Sequence, residues 1–262
     1  MRVISLNLNG LRASLRKGLG DFIAHNQPDY LCFQELKAHA SDIAPHSLLE
    51  MEHWQQHWHS AQRKGYSGVS IWQHSGSSQS PTLAVHPGLG VRSYDDEGRV
   101  LRVDSNGFSL LSVYVPSGSS QAERQDFKMA FLQALYSYIQ QLLSEGRSLL
   151  ICGDFNIAHQ AIDLKNWRAN QQRSGFLAEE RAWLSSFLAL GLVDVYRQLL
   201  GESGVAYSWW SLRSRARERN VGWRLDYHFA TPDIAATAQQ GSIPITPILS
   251  DHAPVIIDYA WC

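Results

Sequence analysis

Hydrophobic and polar positions along this chain switch between two periods. Residues 3–8 alternate, with Ile4, Leu6 and Leu8 on one face and Asn7 emerging on the other near the end, which predicts a strand. A helix is expected around 15–25, and Pro28-Asp29 punctuates the chain after it. Tyr30-Leu31-Cys32-Phe33-Gln34 then reads as a buried strand that delivers Glu35 at its end. Short strands are expected over 68–73 and 81–86. A hairpin follows, 99–104 and 108–115 across Ser105-Asn106-Gly107, because Asn-Gly suits a tight turn. The clearest helix covers 121–145. Ser120 and Glu123 form a capping box, Phe127, Phe131, Leu135, Tyr138 and Leu142 form an apolar stripe, and Gly146 ends it. Residues 148–152 read as a buried strand running into Gly153-Asp154-Phe155-Asn156. A second helix, about 179–190, turns Trp183, Leu184, Phe187 and Leu188 inward before Gly191. Strands near 207–210, 223–230 and 254–260 complete the pattern.

Helix-flanked strands in both halves, with several hairpins, predict an α+β fold of two packed sheets with helices outside, as one domain over residues 1–262. A doubly wound parallel sheet fits less well, since several strand pairs lack a crossover helix. The Ser/Gly-rich piece at 75–80 reads as a loop, not a linker. Charged residues make up 18% and hydrophobic residues 44%, which argues against disorder and against a coiled coil. No apolar run reaches the ~18 residues of a membrane span, and the alternating start is unlike a signal peptide. Cys32, Cys152 and Cys262, with no CxxC pattern, fit a reducing compartment, so a cytoplasmic enzyme-sized globule is expected. A net charge of −1 excludes a globally basic nucleic-acid coat but not a local basic patch. Nine tryptophans favour a thick core or a surface that stacks on flat ligands.

Polar residues fit for cation or phosphate binding stand where strands end: Asn7, Glu35, Tyr114, Asp154, Asn156, Asp226, Asp251 and His252. Singly, each reads as an ordinary loop residue; together they fall on one rim, where function concentrates. Hydrolysis of a phosphodiester needs its charged transition state neutralised, a water made nucleophilic and a leaving oxygen stabilised. Glu35, Asp251 and the Asn7 amide are hard oxygen ligands suited to Mg²⁺ or Mn²⁺. Asp154 would accept a proton from water, and Asn156, two residues on, shares its face and would donate to a phosphoryl oxygen. A charged His252 would donate to another, held by Asp226. Tyr114 offers a phenol. The His53, His57 and His59 group reads as a solvated face more than a zinc site, and Cys32 and Cys152 as inert core. Between Trp209-Trp210 and Trp223 runs an arginine-rich stretch holding Arg213, Arg215, Arg217 and Arg219, continued by Arg224 just after Trp223, with Glu218 as its one acid; Lys165, Arg168 and Arg173 surround Trp167. Such stretches are either solvated loops or grips for a phosphate backbone with aromatics against the bases.

The motifs Asn7-Leu8-Asn9-Gly10-Leu11-Arg12, Gln34-Glu35-Leu36-Lys37, Tyr114-Val115-Pro116, Gly153-Asp154-Phe155-Asn156, Trp223-Arg224-Leu225-Asp226-Tyr227 and Ser250-Asp251-His252-Ala253-Pro254 resemble the exonuclease III and apurinic/apyrimidinic endonuclease family, in the endonuclease/exonuclease/phosphatase superfamily, nearly end to end. The resemblance implies a four-layered α/β/β/α sandwich and a divalent-metal-dependent DNA-repair phosphodiesterase. Its implied substrates are double-stranded DNA with nicks, blocked 3′ ends or abasic sites, with no membrane and no obligate protein partner. It implies that Asn7, Glu35, Asp154, Asn156, Asp251 and His252 surround the Mg²⁺ or Mn²⁺, with Glu35 the main ligand. Asp154 becomes the base, Asn156 and His252 phosphate binders, Asp226 the partner of His252, and Tyr114 a phosphate contact. Trp209, Trp223 and Leu225 would line a slot for a flipped-out sugar, and Arg215, Arg217, Lys165 and Trp167 would touch DNA. Asn9 stands where many relatives carry Asp, so a second metal position is not implied there. The stretch 165–177 resembles a subgroup that includes exonucleases with little abasic-site cleavage. The same subgroup holds the catabolite repression control protein, a catalytically silent regulator, which supplies the alternative reading. A large Trp209 beside Trp223 predicts a tight slot, and so 3′-end processing ahead of internal abasic cleavage.

Overall fold

A computed structural model of the chain describes residues 1–43, 53–76, 82–119, 122–201 and 206–260. In chain order the strands are β1 (Arg2–Asn7), β2 (Tyr30–Gln34), β3 (Trp54–His59), β4 (Val69–His74), β5 (Ala84–Pro87), β6 (Val100–Ser105), β7 (Phe108–Tyr114), β8 (Leu149–Asp154), β9 (Val193–Asp194), β10 (Trp209–Trp210), β11 (Gly222–Trp223), β12 (Asp226–Ala230), β13 (Ala238–Ser242) and β14 (Val255–Tyr259). The helices are α1 (Leu11–Arg16), α2 (Leu19–Asn26), α3 (Arg92–Asp95), α4 (Ala122–Ser144), α5 (Trp167–Asn170), α6 (Ala178–Leu188), α7 (Val195–Leu200) and α8 (Pro232–Ala235).

The strands form two six-stranded sheets, ordered β13-β14-β1-β2-β4-β3 and β5-β6-β7-β8-β12-β9, plus a β10-β11 ribbon. Alternation along each central strand decides the layering. Val3, Tyr30, Cys32, Val103, Leu110, Leu150, Cys152, Val255 and Ile257 join one core between the sheets. Ile4, Leu6, Leu31 and Phe33 face outward onto Leu11, Leu19, Phe22 and Ile23 of α1 and α2. Leu111, Val113, Leu149 and Ile151 face outward onto Phe131, Leu135 and Ile139 of α4 and Leu184 and Phe187 of α6. The result is helix, sheet, sheet, helix, as expected. Strands apolar on both faces stand at the sheet centres, and each fully buried Leu, Ile or Phe contributes about 1.5–3 kcal/mol of transfer free energy.

The centre of each sheet holds a parallel pair. β1 runs with β2, setting Asn7 beside Gln34, and β7 runs with β8, setting Tyr114 beside Asp154. Their carboxyl ends therefore share one rim. β12 and β14 run antiparallel to their neighbours, so their starts reach that rim too: Asp226 pairs with Asp154, and Asp251-His252 lead into β14, which pairs with β1. Gln34 and Ser112 tie the two layers just behind the rim, with the Gln34 amide donating to Ser112 Oγ at 3.1 Å and Ser112 Oγ to the Phe33 carbonyl at 3.1 Å.

Several elements differ from their sequence-based expectation. The helix expected at 15–25 is two helices, broken where Gly18 takes φ 91°. The strand expected at 223–230 is interrupted, because Arg224 turns inward between β11 and β12 to bond Asp163 and Asp194. β3 and β13 carry too few apolar residues to announce themselves; both are edge strands, half exposed. The buried face of α4 is Lys128, Phe131, Leu132, Leu135, Ile139 and Leu142, while Phe127 and Tyr138 lie half-buried at its margin. Ser120 of the capping box, Cys262 and most of the 75–80 loop lie outside the described residues.

Candidate active site

The rim opens into a cleft of about 660 Å³ lined by Asn9, Glu35, Tyr114, residues 117–119, Asp154, Asn156, residues 172–175, Trp209, Trp223, Leu225, Asp251 and His252. Asp154 is its centre, only 1% exposed. One carboxylate oxygen accepts the Asn156 backbone N–H at 2.8 Å. The other accepts the Asn7 amide at 2.9 Å and the Asn156 amide at 3.3 Å. Burial and the nearby Asp226 charge lift Asp154 to about 7, while His252 and these hydrogen bonds hold it down. A carboxylate poised there is suited to taking a proton at neutral pH.

His252 Nδ1 lies 2.8 Å from Asp226 Oδ2, and its Nε2 lies 3.8 Å from Asp154 Oδ2. Burial works against its charge, but the Asp226 and Asp154 carboxylates outweigh that and push it up to about 10. The ring is a cation with Nδ1–H given to Asp226. Asp226 is fixed from behind, since Ser208 Oγ accepts the Leu225 and Asp226 backbone N–H groups at 2.9 and 3.1 Å. The loop carrying His252 is clamped by the ribbon: Trp210 N–H donates to the Asp251 carbonyl at 3.2 Å and Ala253 N–H to the Ser208 carbonyl at 2.7 Å.

Glu35, Asn9 and Asp251 form the opposite wall. Lys37 Nζ sits 2.8 Å from Glu35 Oε1 and also donates to Asn9 Oδ1; Asn9 Nδ2 donates to Asp251 Oδ1 at 2.9 Å. Against the upward push of burial, the His252 charge and hydrogen bonds from Asn9, Trp209 and Ser250 keep Asp251 below the usual carboxylate range. Two carboxylates and the Asn9 amide oxygen are the hard donors a divalent cation takes, and the Lys37 ammonium shows that Glu35 and Asn9 already draw a cation. Among the described residues, the one group of three His, Cys, Asp or Glu side chains with mutually close ligand atoms is Asp154, Asp226 and His252, within 4.8 Å. The His53, His57 and His59 set forms no such group.

Asn9, Glu35 and Asn156 all sit at positive φ, 46°, 54° and 51°. At Asn156 the turn aims its amide nitrogen at the Val115 carbonyl, 2.9 Å away, and at Asp154. Both acceptors demand the nitrogen, so Oδ1 is the atom left for a cation. Donating to a phosphoryl oxygen means exchanging the longer bond to Asp154. Asn7 has its amide nitrogen on Asp154 and its oxygen on the Asn9 N–H.

Tyr114 is held by Arg99, whose guanidinium lies 4.7 Å from the ring centroid and donates to the Tyr114 carbonyl at 3.1 Å. Burial, then the Glu35 charge, push its phenol well above the ordinary value, so it is a neutral donor. Sequence reasoning missed Arg99; its position at a strand start hid a side chain 2% exposed.

The aromatic wall is edge-on. Trp209 and Trp223 centroids are 6.3 Å apart at 79°, and both pack with Leu225 and Phe176. Trp209 Nε1 also donates to Asp251 Oδ2 at 3.1 Å. Trp167 packs on the same cluster, with Arg168 over its ring at 4.5 Å and Lys165 exposed beside it. The arginine stretch divides. The Arg215 side chain is 81% exposed, with Glu218 at 3.8 Å. Arg217 instead folds back over Trp210 at 4.5 Å and donates to the Ser250 carbonyl at 2.8 Å, so it supports the Asp251-His252 loop. Arg224 is buried in its pair of aspartates.

Against known proteins, the pattern of the endonuclease/exonuclease/phosphatase family matches residues 4–252. An exodeoxyribonuclease of Bacillus subtilis is 38% identical over 97% of this chain and 98% of its own. The DNA repair nuclease APEX1 of Danio rerio is 34% identical over 98% of this chain and 81% of its own. The solved structure of a 3′ phosphatase from Neisseria bound to product DNA hairpin superposes with a TM-score of 0.87 at 28% identity, covering 100% of both chains. With its two layered sheets, a shared rim and matching relatives end to end, the chain belongs to the endonuclease/exonuclease/phosphatase family.

Proposed function

We propose that this chain, acting over 1–262 as one catalytic domain, is a Mg²⁺- or Mn²⁺-dependent DNA-repair phosphodiesterase. It processes 3′ ends of duplex DNA at nicks, blocked ends and 3′→5′ degradation sites, and cleaves abasic sites more slowly. The observation that carries the reading is the pairing of a neutral-pH carboxylate, Asp154, with a carboxylate-held imidazolium, His252, 3.8 Å apart at the floor of one cleft. A pure binder has no use for that arrangement, so the silent-regulator alternative is not favoured. The relatives, an exodeoxyribonuclease, a DNA repair nuclease and a DNA-bound 3′ phosphatase, support a nuclease.

Glu35 and Asp251 would hold the divalent cation, with Asn7, Asn156, Asp154 and His252 around it. Bound there, the ion supplies positive charge against the phosphate and the leaving oxygen. Asp154 takes the proton of the attacking water, oriented by the Asn7 and Asn156 amides. His252 Nε2–H and the neutral Tyr114 hydroxyl donate to phosphoryl oxygens as charge builds there. Trp209, Trp223 and Leu225 receive the terminal sugar. Arg215, Lys165 and Trp167 contact the flanking duplex, with Arg217 acting through the loop it supports. Among the described residues no helix is long and apolar enough to cross a membrane, and the cytoplasm is the proposed compartment.

The test compares matched duplexes carrying a 3′-phosphate nick or an internal abasic site, with EDTA or with Mg²⁺. Metal-dependent 3′ processing faster than abasic cleavage is expected. Binding without turnover under every condition would refute the enzyme, and faster abasic cleavage would refute the 3′ preference alone.

A further inference from the structure

The floor of the cleft rests on an ion pair that the chemistry above does not use. Lys128 of α4 and Glu180 of α6 are both fully buried, with Nζ 2.5 Å from Oε1. The ammonium also donates to the backbone carbonyl of Asn156 at 2.8 Å. Glu180 Oε2 accepts the Gly175 and Leu177 backbone N–H groups at 2.7 and 2.9 Å, and Oε1 accepts the Ser174 hydroxyl at 3.2 Å. Two strands of loop thus converge on one pair: the turn that presents Asn156 and the segment that backs Trp223. They are tied to each other as well, through Ala158 N–H to the Gly175 carbonyl at 2.8 Å. A Cβ at Gly175 would come within 3.3 Å of both the Asn156 carbonyl and the Trp223 ring, so the fit there leaves no slack.

We propose that the Lys128–Glu180 pair is a positioning device for the reaction, fixing the left-handed turn at Asn156 and the Gly175 backing of the aromatic wall in one working geometry. The inference rests on the nuclease reading. Stability alone is a poor account of it, since a buried ion pair is often replaced by neutral residues of similar volume at no net cost. What neutral residues cannot reproduce is an ammonium bridging a carboxylate and a turn carbonyl. Displacing a reacting group by about 1 Å can cost on the order of 10²-fold in rate.

The test is the double variant Lys128→Met/Glu180→Gln beside Lys128→Met alone. The single variant leaves a buried carboxylate unpaired and should melt well below the wild type. The double variant removes both charges, keeps an acceptor for Gly175, and should regain most of the melting temperature. Its kcat on a 3′-phosphate nick should stay down by about 10–100-fold, with KM for the duplex little changed. If kcat recovers together with melting temperature, the pair is only structural and the proposal falls. Should the double variant not fold, Glu180→Asp keeps both charges and withdraws the carboxylate by one methylene; wild-type kcat there would equally overturn it. Asn156→Ala run in parallel separates the two readings. A slow double variant beside a normal Asn156→Ala removes the role given to Asn156 and leaves the pair acting through Gly175. A normal double variant defeats the positioning role whatever Asn156→Ala shows.

Discussion

Replacing Asp226 by Asn tests the imidazolium without moving it. The Asn carbonyl still accepts the Nδ1–H now given to Asp226 at 2.8 Å, so ring position and tautomer persist while the charge partner is lost. His252 is then left with the Asp154 and Asp251 charges against burial that disfavours its own, and falls from about 10 towards the ordinary 6.5. At pH 8 a group titrating near 10 is about 99% charged and one at 6.5 about 3%, so the variant should lose up to roughly 30-fold in kcat/KM. The loss should be pH-dependent. In the wild type, activity should rise as Asp154 loses its proton near 7 and fall as His252 loses its own near 10. In the variant the falling limb should move down from about 10 towards neutrality, and the rising limb should shift as well, because the Asp226 charge that helps lift Asp154 is gone. The stability sign agrees: a histidine raised in the fold contributes stability below its unfolded value that is lost as pH climbs through about 10. The melting-temperature gap between wild type and variant should therefore close above that pH. The assay is a pH profile of 3′-phosphate release from a nicked duplex between about pH 5.5 and 10.5, with saturating Mg²⁺. An alkaline limb that stays in place in the variant would refute the assignment of that proton to His252.

EDTA should abolish turnover and Mg²⁺ or Mn²⁺ restore it, and Glu35→Ala should need far more metal while melting like the wild type; full activity of that variant at low Mg²⁺ would remove Glu35 from the ligand set. Asn156→Ala should lose about 10²–10³ in kcat with duplex affinity retained, and Asp154→Asn at least as much, in single-turnover measurements. Arg215→Glu should flatten the salt dependence of duplex affinity, whereas Arg217→Ala should leave the slope and lower kcat by loosening Ser250; equal effects on the slope would return both to the same role. Trp209→Phe removes an outer ring and the hydrogen bond to Asp251, so both rates should fall, abasic cleavage least; a ratio that does not move would mean that Trp209 does not set the width of the slot.

Most of the rim was legible because strand ends are legible. Tyr30-Leu31-Cys32-Phe33-Gln34 stops being apolar one residue before Glu35, and the same change marks Asp154 after Leu150-Ile151-Cys152. Parallel pairing of β1 with β2 and β7 with β8 then puts those ends side by side. What stayed hidden shares one cause: charge that folds inward. Arg217 and Arg215 are two residues apart in an arginine-rich stretch, and only tertiary contact with Trp210 and Ser250 separates a support from a solvated side chain. Lys128 falls on the helical spacing of Leu132, Leu135, Ile139 and Leu142, and a lysine in that register was the available signal. Edge strands β3 and β13 escaped notice because an exposed edge needs no apolar face.

The left-handed turns at Asn9, Glu35 and Asn156 bear on how such a protein changes over generations. A side chain with a Cβ in that conformation costs roughly 1–2 kcal/mol, glycine avoids the cost, and asparagine bears it more easily than glutamate. Selection for folding alone would therefore draw position 35 towards glycine, whereas Asn9 and Asn156 hold side-chain hydrogen bonds that glycine would lose. At Glu35 a lineage relieved of its chemistry would have that strain to shed and a half-exposed ion pair with Lys37 to lose. A redesign guided by thermal stability would meet the same bias at position 35 and, blind to chemistry, would favour erasing Glu35.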